Sequence, residues 1–180
     1  MKVCIFCGAN ASLDPQVDKV VKTLMTHFRA NDTELVYGGA GIGIMGALAT
    51  ELMVLGGRVT GVIPQLLMKK EIAHAGLTKL HTVTDMHERK KLMYQLSDAF
   101  LILPGGMGTM DELFEILTWK QLGLHSKPIA ILNVNRYYDP IIDFFNQATD
   151  KGLIKPQDRS LLFASPDWQE VWSYFTENVP

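Results

Sequence analysis

The segment at 103–115, LPGGMGTMDELFE, combines residues that can bind an anion with carboxylates that could act on a bound substrate. Three glycines follow an apolar run, and Thr109 is predicted to begin a helix. The free N–H groups and positive dipole end of a helix N-terminus favour phosphate binding. Glu112 lies in the first helical turn, close to such a phosphate. Helix capping could equally account for Asp111 and Glu112, but it does not account for the glycines.

A second glycine-rich segment, GGAGIGIMG, occupies 38–46. Gly41, Gly43 and Gly46 form a G-x-G-x-x-G pattern, which alone is a weak indicator of dinucleotide binding. An NAD site needs an acidic residue at the end of the next strand, and no carboxylate follows the predicted strand at 58–63. We therefore interpret the segment as a backbone cradle for phosphate or ribose. A tight turn with close helix–strand packing is the alternative.

The elements around these loops must position them, and apolar runs alternate with helical patterns along the chain. Runs such as AFLIL at 99–103 are apolar at every position, which is typical of parallel strands covered on both faces. The pattern predicts an α/β fold, a single-domain, Rossmann-like, doubly wound parallel sheet over 1–180 with helices on both faces. Ligands of such sheets bind beyond the carboxyl ends of the strands. The predicted strands are 2–6, 35–37, 58–63, 79–83, 99–103, 128–133 and 161–164, and the predicted helices are 16–30, 44–55, 86–96, 109–122, 138–151 and 167–175.

Composition and charge argue against several classes of protein. The 180 residues include 17 Lys and Arg against 19 Asp and Glu with no basic stripe, so no nucleic-acid partner is expected. The apolar runs are shorter than a membrane span, and no targeting segment precedes the first strand, so we expect a cytoplasmic protein without a membrane partner. Cys4 and Cys7 form a C-x-x-C, but Cys4 lies within an apolar strand. We predict structural cysteines and no metal site.

The segment at 104–112 matches the P-G-G-x-G-T-x-x-E motif of the Lonely Guy (LOG) family at every fixed position. The segment DMHERKKLM at 85–93 resembles the family's M-H-x-R-K segment, and the glycine-rich loop at 38–46 resembles its counterpart. Weaker matches are MKKEI at 68–72 and TWKQLG at 118–123. The resemblance covers nearly the whole chain in order. It departs after Cys7-Gly8, where Ala9 and Asn10 replace two serines, and at Asp111, where a Glu is commoner.

This resemblance implies a phosphoribohydrolase that cleaves the N-glycosidic bond of a purine nucleoside 5′-monophosphate, either AMP or an N6-modified AMP of the cytokinin type. Glu112 would stabilise the oxocarbenium-like transition state or activate water. Arg89 would fix the phosphate, orient the carboxylate or stabilise the departing base. The implied substrate-binding residues are Gly39, Gly41, Gly43, Met45, Glu71, Lys90, Gly105, Gly106, Met107, Gly108, Thr109, Met110, Asp111, Glu115 and Thr118.

Several alternatives stay open at this point. Lys90 is equally well explained as a solvated lysine beside Lys91. The resemblance implies a homodimer, whose interface could include the Met- and Leu-rich helix at 86–96, although core packing explains the same residues. No cofactor is expected. The label "lysine decarboxylase" carried by many family members would require a pyridoxal-bearing lysine, and none is marked out. A non-catalytic carrier of a nucleotide or of molybdenum cofactor, or a nucleotide sensor, would need the glycine loops but not the pair Arg89 and Glu112.

Overall fold

The computed structural model describes residues 1–68 and 73–179, and within them all the strands join one parallel sheet. The strand order is β4-β3-β2-β1-β5-β6-β7. The chain therefore adds strands outward from β1 in one direction and then, from β5, in the other. This reversal confirms the predicted doubly wound sheet and places the topological switch point between β1 and β5. The strands are β1 Lys2–Phe6, β2 Glu34–Tyr37, β3 Val59–Pro64, β4 Lys79–Val83, β5 Ala99–Ile102, β6 Ile129–Leu132 and β7 Leu162–Ser165.

Helices follow the strands along the described chain, and their first residues agree with local capping chemistry. Asp14 accepts a hydrogen bond from the backbone N–H of Gln16, and Pro15 stands in the first turn of the first helix. Asp85 accepts from Glu88 N at 2.8 Å and caps the helix that follows β4. The helices are α1 Pro15–Ala30, α2 Gly43–Val54, α3 Met86–Leu96, α4 Met107–Gln121, α5 Asp139–Asp150, α6 Pro156–Arg159 and α7 Trp168–Asn178.

Both faces of the sheet are covered. Along β1, Val3 and Ile5 join a core with residues of α1, α2 and α7, while Cys4 and Phe6 join a second core with residues of α3, α4 and α5. The side chains of β1 therefore alternate between two buried layers, as its apolar sequence requires. No helix in the described part of the chain is long and apolar enough to cross a membrane.

The start of α4 differs from the prediction. The helix begins at Met107 and not at Thr109, because the carbonyl of Gly106, the N-cap residue, already accepts a helical hydrogen bond from Met110 N at 3.1 Å. Thr109 is consequently a buried residue inside the first turn. The short helix α6 was not predicted, because its 4 residues are too few to show a period. The prediction of a single domain over 1–180 stays a prediction.

Strand β5, next to the central strand β1, should contribute strongly to stability, and Leu101→Ala tests this. Leu101 is fully buried between the two helical layers, so its truncation should lower the free energy of unfolding by about 2–5 kcal/mol. Urea unfolding followed by circular dichroism measures the change. Leu153→Ala is the matched control, because Leu153 is 80% exposed and the loss of its side chain should change the free energy of unfolding by less than about 0.5 kcal/mol. Equal effects of the two substitutions would contradict the observed burial.

Candidate functional site

A cavity of about 410 Å³ lies at the carboxyl ends of β1 and β5, at the topological switch point. The loop after β1, the start of α2, the side chain of one residue of α3, and the loop between β5 and α4 form its walls. This is the place where ligands bind in open α/β sheets. The described lining consists of Cys7, Gly8, Ala9, Asn10, Ala11, Ser12, Asp14, Val17, Ile44, Met45, Arg89, Pro104, Gly105, Gly106, Met107, Gly108, Thr109, Glu112 and Tyr137.

In the loop between β5 and α4, the backbone carbonyls accept hydrogen bonds, whereas the backbone amides of 105–109 have no carbonyl acceptor among the described residues. The carbonyl of Pro104 accepts from Gly8 N at 3.0 Å, that of Gly105 from the Tyr137 hydroxyl at 2.8 Å, and that of Gly106 from Met110 N. Within the described chain, the N–H groups of 105–109 donate no hydrogen bond to a backbone carbonyl. Backbone amides at a helix N-terminus that donate to no backbone carbonyl can bind an anion.

Gly105 is required in this loop by packing. A Cβ atom at this position would overlap the Oγ1 atom of Thr109 and approach the backbone nitrogen of Gly8. Gly106 and Gly108, by contrast, would meet no atom within 4 Å. Their missing side chains instead leave the cavity side of the loop open, so that a ligand can approach the backbone.

Arg89 contributes a buried guanidinium to the cavity wall. Its side chain extends from α3, and only 5% of the residue is exposed. Nε donates to the carbonyl of Val62 at 3.2 Å and Nη2 donates to the carbonyl of Gly38 at 2.9 Å. Since a guanidinium keeps its charge, these backbone acceptors offset part of its lost hydration. The positive charge is thereby fixed at one position of the wall.

Glu112, in the first turns of α4, lines the same cavity and is partly buried. Burial, together with the negative charge of Glu112, raises the pKa of the Cys7 thiol well above its ordinary value. Cys7 is therefore a protonated, buried thiol in the cavity wall. The cavity wall thus carries a fixed cation, a carboxylate and a glycine loop.

Lys90 holds the two helices of the site together. Its Nζ atom lies 3.1 Å from the carboxylate of Asp111 and 3.0 Å from that of Glu115, and 11% of its side chain is exposed. Burial alone would lower the pKa of Lys90, but the hydrogen bonds to Glu115 and Asp111 outweigh it and raise that pKa. The structure places these three predicted substrate contacts in an ion pair between α3 and α4. Direct contact with a substrate stays a prediction for them.

The glycine-rich loop at 38–46 takes part in close packing. Gly43 has a φ of 64°, and a Cβ there would overlap the backbone of Ala9; one at Gly46 would overlap Gly41. Gly39 has a φ of 80° and lies against β3. In the described lining, this loop and the start of α2 are represented by Ile44 and Met45. These contacts agree with the alternative of tight packing, and phosphate binding by Gly39, Gly41 and Gly43 stays a prediction.

The remaining predicted residues lie in different places. Thr118 donates from Oγ1 to the carbonyl of Phe114 at 2.7 Å and lines a separate cavity of about 180 Å³ beside α5 and α6. Met110 packs against the core layer that contains α3, α4 and α5. Glu71 falls at 69–72, outside the described residues. Thr118 therefore does not line the described cavity that contains Glu112, although the resemblance implied that it binds substrate.

Sequence reasoning did not select Tyr137, although the structure places it in the cavity wall. Tyr137 follows β6, a neighbour of β5 in the sheet. Its position beyond the carboxyl end of a predicted strand was the signal in the sequence that could have identified it as a cavity residue. Asp14 caps α1 through one carboxylate oxygen, and its second carboxylate oxygen accepts from the side chain of Asn135 at 2.8 Å. The loops after β1 and β6 are therefore joined at the rim of the cavity.

Comparisons with known proteins give both a family and a fold. A family model described as "possible lysine decarboxylase" matches residues 45–175. A cytokinin riboside 5′-monophosphate phosphoribohydrolase of Rhodococcoides fascians is 45% identical over 92% of this chain and 84% of its own length. One from Arabidopsis thaliana is 38% identical over 99% of this chain and 84% of its own length. A probable member from Oryza sativa is 42% identical over 94% of this chain and 76% of its own length.

Solved structures of low sequence identity share the Rossmann-like architecture. The molybdenum cofactor carrier protein of Chlamydomonas reinhardtii superposes with a TM-score of 0.73 at 16% identity, covering 98% of this chain and 96% of that chain. A molybdenum cofactor binding protein of Rippkaea orientalis gives a TM-score of 0.69 at 13% identity, covering 99% and 97%. At such identities the likeness concerns the fold alone.

The contact between Arg89 and Gly38 can be tested with Gly38→Ala. The added methyl group would overlap Nη2 of Arg89 and displace the guanidinium from its acceptors, lowering the free energy of unfolding by about 1–3 kcal/mol in urea. Gly108→Ala is the control, because its methyl group meets no atom within 4 Å and alanine favours the helix by up to about 1 kcal/mol. A Gly38→Ala protein as stable as the wild type would refute this close packing.

Proposed function

The chain belongs to the LOG family, the family of the "possible lysine decarboxylase" model, and from this we propose that it is a phosphoribohydrolase acting on purine nucleoside 5′-monophosphates. Water would replace the base at C1′ of the ribose. The bond from C1′ to the base nitrogen breaks, the water oxygen bonds to C1′, and a proton passes to the base. The products are a free base and ribose 5-phosphate. The proposed substrates are the cytokinin riboside 5′-monophosphates named for the relatives, which are N6-modified AMP, and AMP itself.

The observation that carries the proposal is the meeting of three groups in one cavity: the glycine loop after β5, Arg89 from α3 and Glu112 from α4. The amides of 105–109 would bind the 5′-phosphate, because they lie at the N-terminus of α4 and donate to no backbone carbonyl in the described chain. A ribose attached to that phosphate would lie over the first turn of the helix. Glu112, in the second turn of α4, is the carboxylate of this helix that lines the described cavity.

Glu112 would act on the transition state of glycosyl cleavage. As the C1′–N bond breaks, positive charge develops on the ribose, and a carboxylate can stabilise it or remove a proton from the attacking water. Arg89 would supply a cation fixed by two backbone carbonyls, so that little reorganisation is needed when negative charge develops on the substrate. A carrier would need only the loop, whereas both charged groups suit catalysis.

We propose in addition that the protein is a homodimer with the cavity mouth near the interface. Apolar side chains are exposed in or next to the cavity lining: Met107 is 93% exposed at the start of α4, and Leu13, between the lining residues Ser12 and Asp14, is fully exposed. Met86, whose sulfur contacts Arg89, is 40% exposed. Large exposed apolar side chains beside a cavity favour a protein contact. Met93, on the same helix as Met86, packs in the core instead. The absence of a nucleic-acid partner and the cytoplasmic location stay predictions.

Hydrolysis can be tested directly. The purified protein is incubated with AMP and with N6-isopentenyl-AMP, and base release is followed by chromatography. We expect release from both nucleotides, and a loss of at least about 100-fold in Glu112→Gln, because the amide can neither accept a proton nor carry negative charge. Glu177→Gln is the matched control, since Glu177 is exposed on α7, and its rate should equal that of the wild type.

Two results would count against this function. If the wild type binds AMP but releases base from neither AMP nor N6-isopentenyl-AMP, the protein is a nucleotide carrier or sensor. If Glu112→Gln keeps the wild-type rate while both nucleotides are cleaved, the enzyme stands but Glu112 is not its catalytic carboxylate. Adenosine serves as the substrate control, because it lacks the 5′-phosphate and should react far more slowly.

The homodimer can be tested by light scattering coupled to gel filtration. We expect a particle of twice the 20.1 kDa of the chain. Met107→Lys should shift the protein toward the monomer, because it places a charge in the apolar surface at the cavity mouth. Lys151→Glu, an exposed change at the end of α5, controls for altered surface charge. A wild-type particle of 20.1 kDa would disprove the dimer.

A further inference from the structure

The turn between β6 and α5 has a backbone conformation that Asn tolerates but that is costly for Arg. Asn135 and Arg136, with φ values of 51° and 61°, are consecutive residues in the left-handed region, and neither is a glycine. Such a conformation is costly for a residue with a Cβ atom and persists only when the surrounding structure fixes it. Strained turns of this kind are concentrated at functional sites. This turn lies at the same edge of the sheet as the cavity.

Hydrogen bonds of side chains hold the turn on both sides. Asn133 donates to the carboxylate of Asp139 at 2.7 Å and accepts from the backbone N–H of Tyr138 at 2.8 Å. Arg136 donates from Nε to the other oxygen of Asp139 at 2.6 Å. The ends of the turn are therefore tied to the start of α5. Because Asp139 is held by both neighbours, its pKa lies below the usual range.

The result of this turn is the placement of two tyrosines on the glycine loop. The hydroxyl of Tyr138 donates to the carbonyl of Leu103, and that of Tyr137 donates to the carbonyl of Gly105, each at 2.8 Å. Their rings pack edge to face with centroids 4.8 Å apart. Tyr138 is buried, whereas Tyr137 is 53% exposed and forms part of the cavity wall.

A hydrogen bond to the carbonyl of Gly105 also fixes an amide. The peptide bond is planar and trans, so the C=O of Gly105 and the N–H of Gly106 point in opposite directions in one plane. A donor that holds this carbonyl therefore sets the direction of the Gly106 N–H. Glycine peptides rotate easily without such a restraint. Gly8 restrains the preceding peptide in the same way, through the carbonyl of Pro104.

We propose that Tyr137 is a positioning residue for phosphate binding, whose hydroxyl holds the peptide between Gly105 and Gly106 in the orientation that binds the 5′-phosphate. This inference rests on the proposed function, because it takes the substrate phosphate to lie on the amides of 105–109. The strained turn at Asn135 and Arg136 is the device that places the hydroxyl. Tyr137 acts through the loop and not by proton transfer.

Tyr137→Phe tests the proposal, because it removes the hydroxyl and keeps the ring. We expect the KM for AMP and the Kd of ribose 5-phosphate, measured by calorimetry, to rise about fivefold, as for the loss of one hydrogen bond. The kcat and the affinity for adenosine, which has no phosphate, should stay within about twofold. Tyr94→Phe is the matched control, because the Tyr94 hydroxyl donates to the carbonyl of Leu124, at 3.4 Å, away from the cavity.

The outcomes separate this inference from the proposed function. If wild type and Tyr137→Phe bind ribose 5-phosphate equally, Tyr137 has no positioning role, whatever the hydrolysis assay shows. If the affinities for adenosine and ribose 5-phosphate fall together, the hydroxyl supports the cavity in general and the proposal is overturned. If the wild type releases no base but the Kd of ribose 5-phosphate rises in Tyr137→Phe, the hydrolase proposal fails while the positioning role stands. A wild type that binds neither AMP nor ribose 5-phosphate overturns both.

Discussion

The burial of the Arg89 guanidinium is the constraint on which the rest of the site depends. A guanidinium cannot lose its charge, so its removal from water requires acceptors in the protein. The carbonyls of Gly38 and Val62 are among them, and they stand at the carboxyl ends of adjacent strands. The helix α3 must therefore dock with Arg89 over these strand ends. Gly38 must lack a Cβ atom, since one would occupy the place of the guanidinium.

The position of α4 follows from that of α3 through the next residue in the chain. Lys90 bridges Asp111 and Glu115. Asp111 immediately precedes Glu112, and Glu115 follows Glu112 by nearly one helical turn. The ion pair holds a largely buried Lys90 ammonium, and removing a carboxylate partner would leave that charge poorly compensated. It couples the helix that carries the cation to the helix that carries the carboxylate. The same α4 N-terminus supplies the amides of the glycine loop. The positions of the Arg89 cation, the Glu112 carboxylate and the amides of the glycine loop are therefore coupled to one another.

The sequence by itself determined the elements and the principal candidates. Apolar runs of strand length and helical periods come from short-range patterns, and each predicted strand and helix is present in the described chain with small shifts of its ends. The glycine loop after β5 was recognisable because closely spaced glycines between an apolar strand and a helix are typical of anion-binding loops. Arg89 and Glu112 were found through the family motifs, and the structure brings both to one cavity. The family itself is confirmed by relatives that match most of the chain.

Only the tertiary structure decided which side chains meet. Lys90 contacts Asp111 across 21 residues, and Tyr137 reaches the carbonyl of Gly105 across 32. Thr118 shares a helix with Glu112 but lines a different cavity, because α5 and α6 cover that part of α4. Helical periodicity predicts on which face of the helix a residue lies, but not which element packs against that face. The partner of a polar group depends on strand order and on how helices cross the sheet, and the local sequence contains neither.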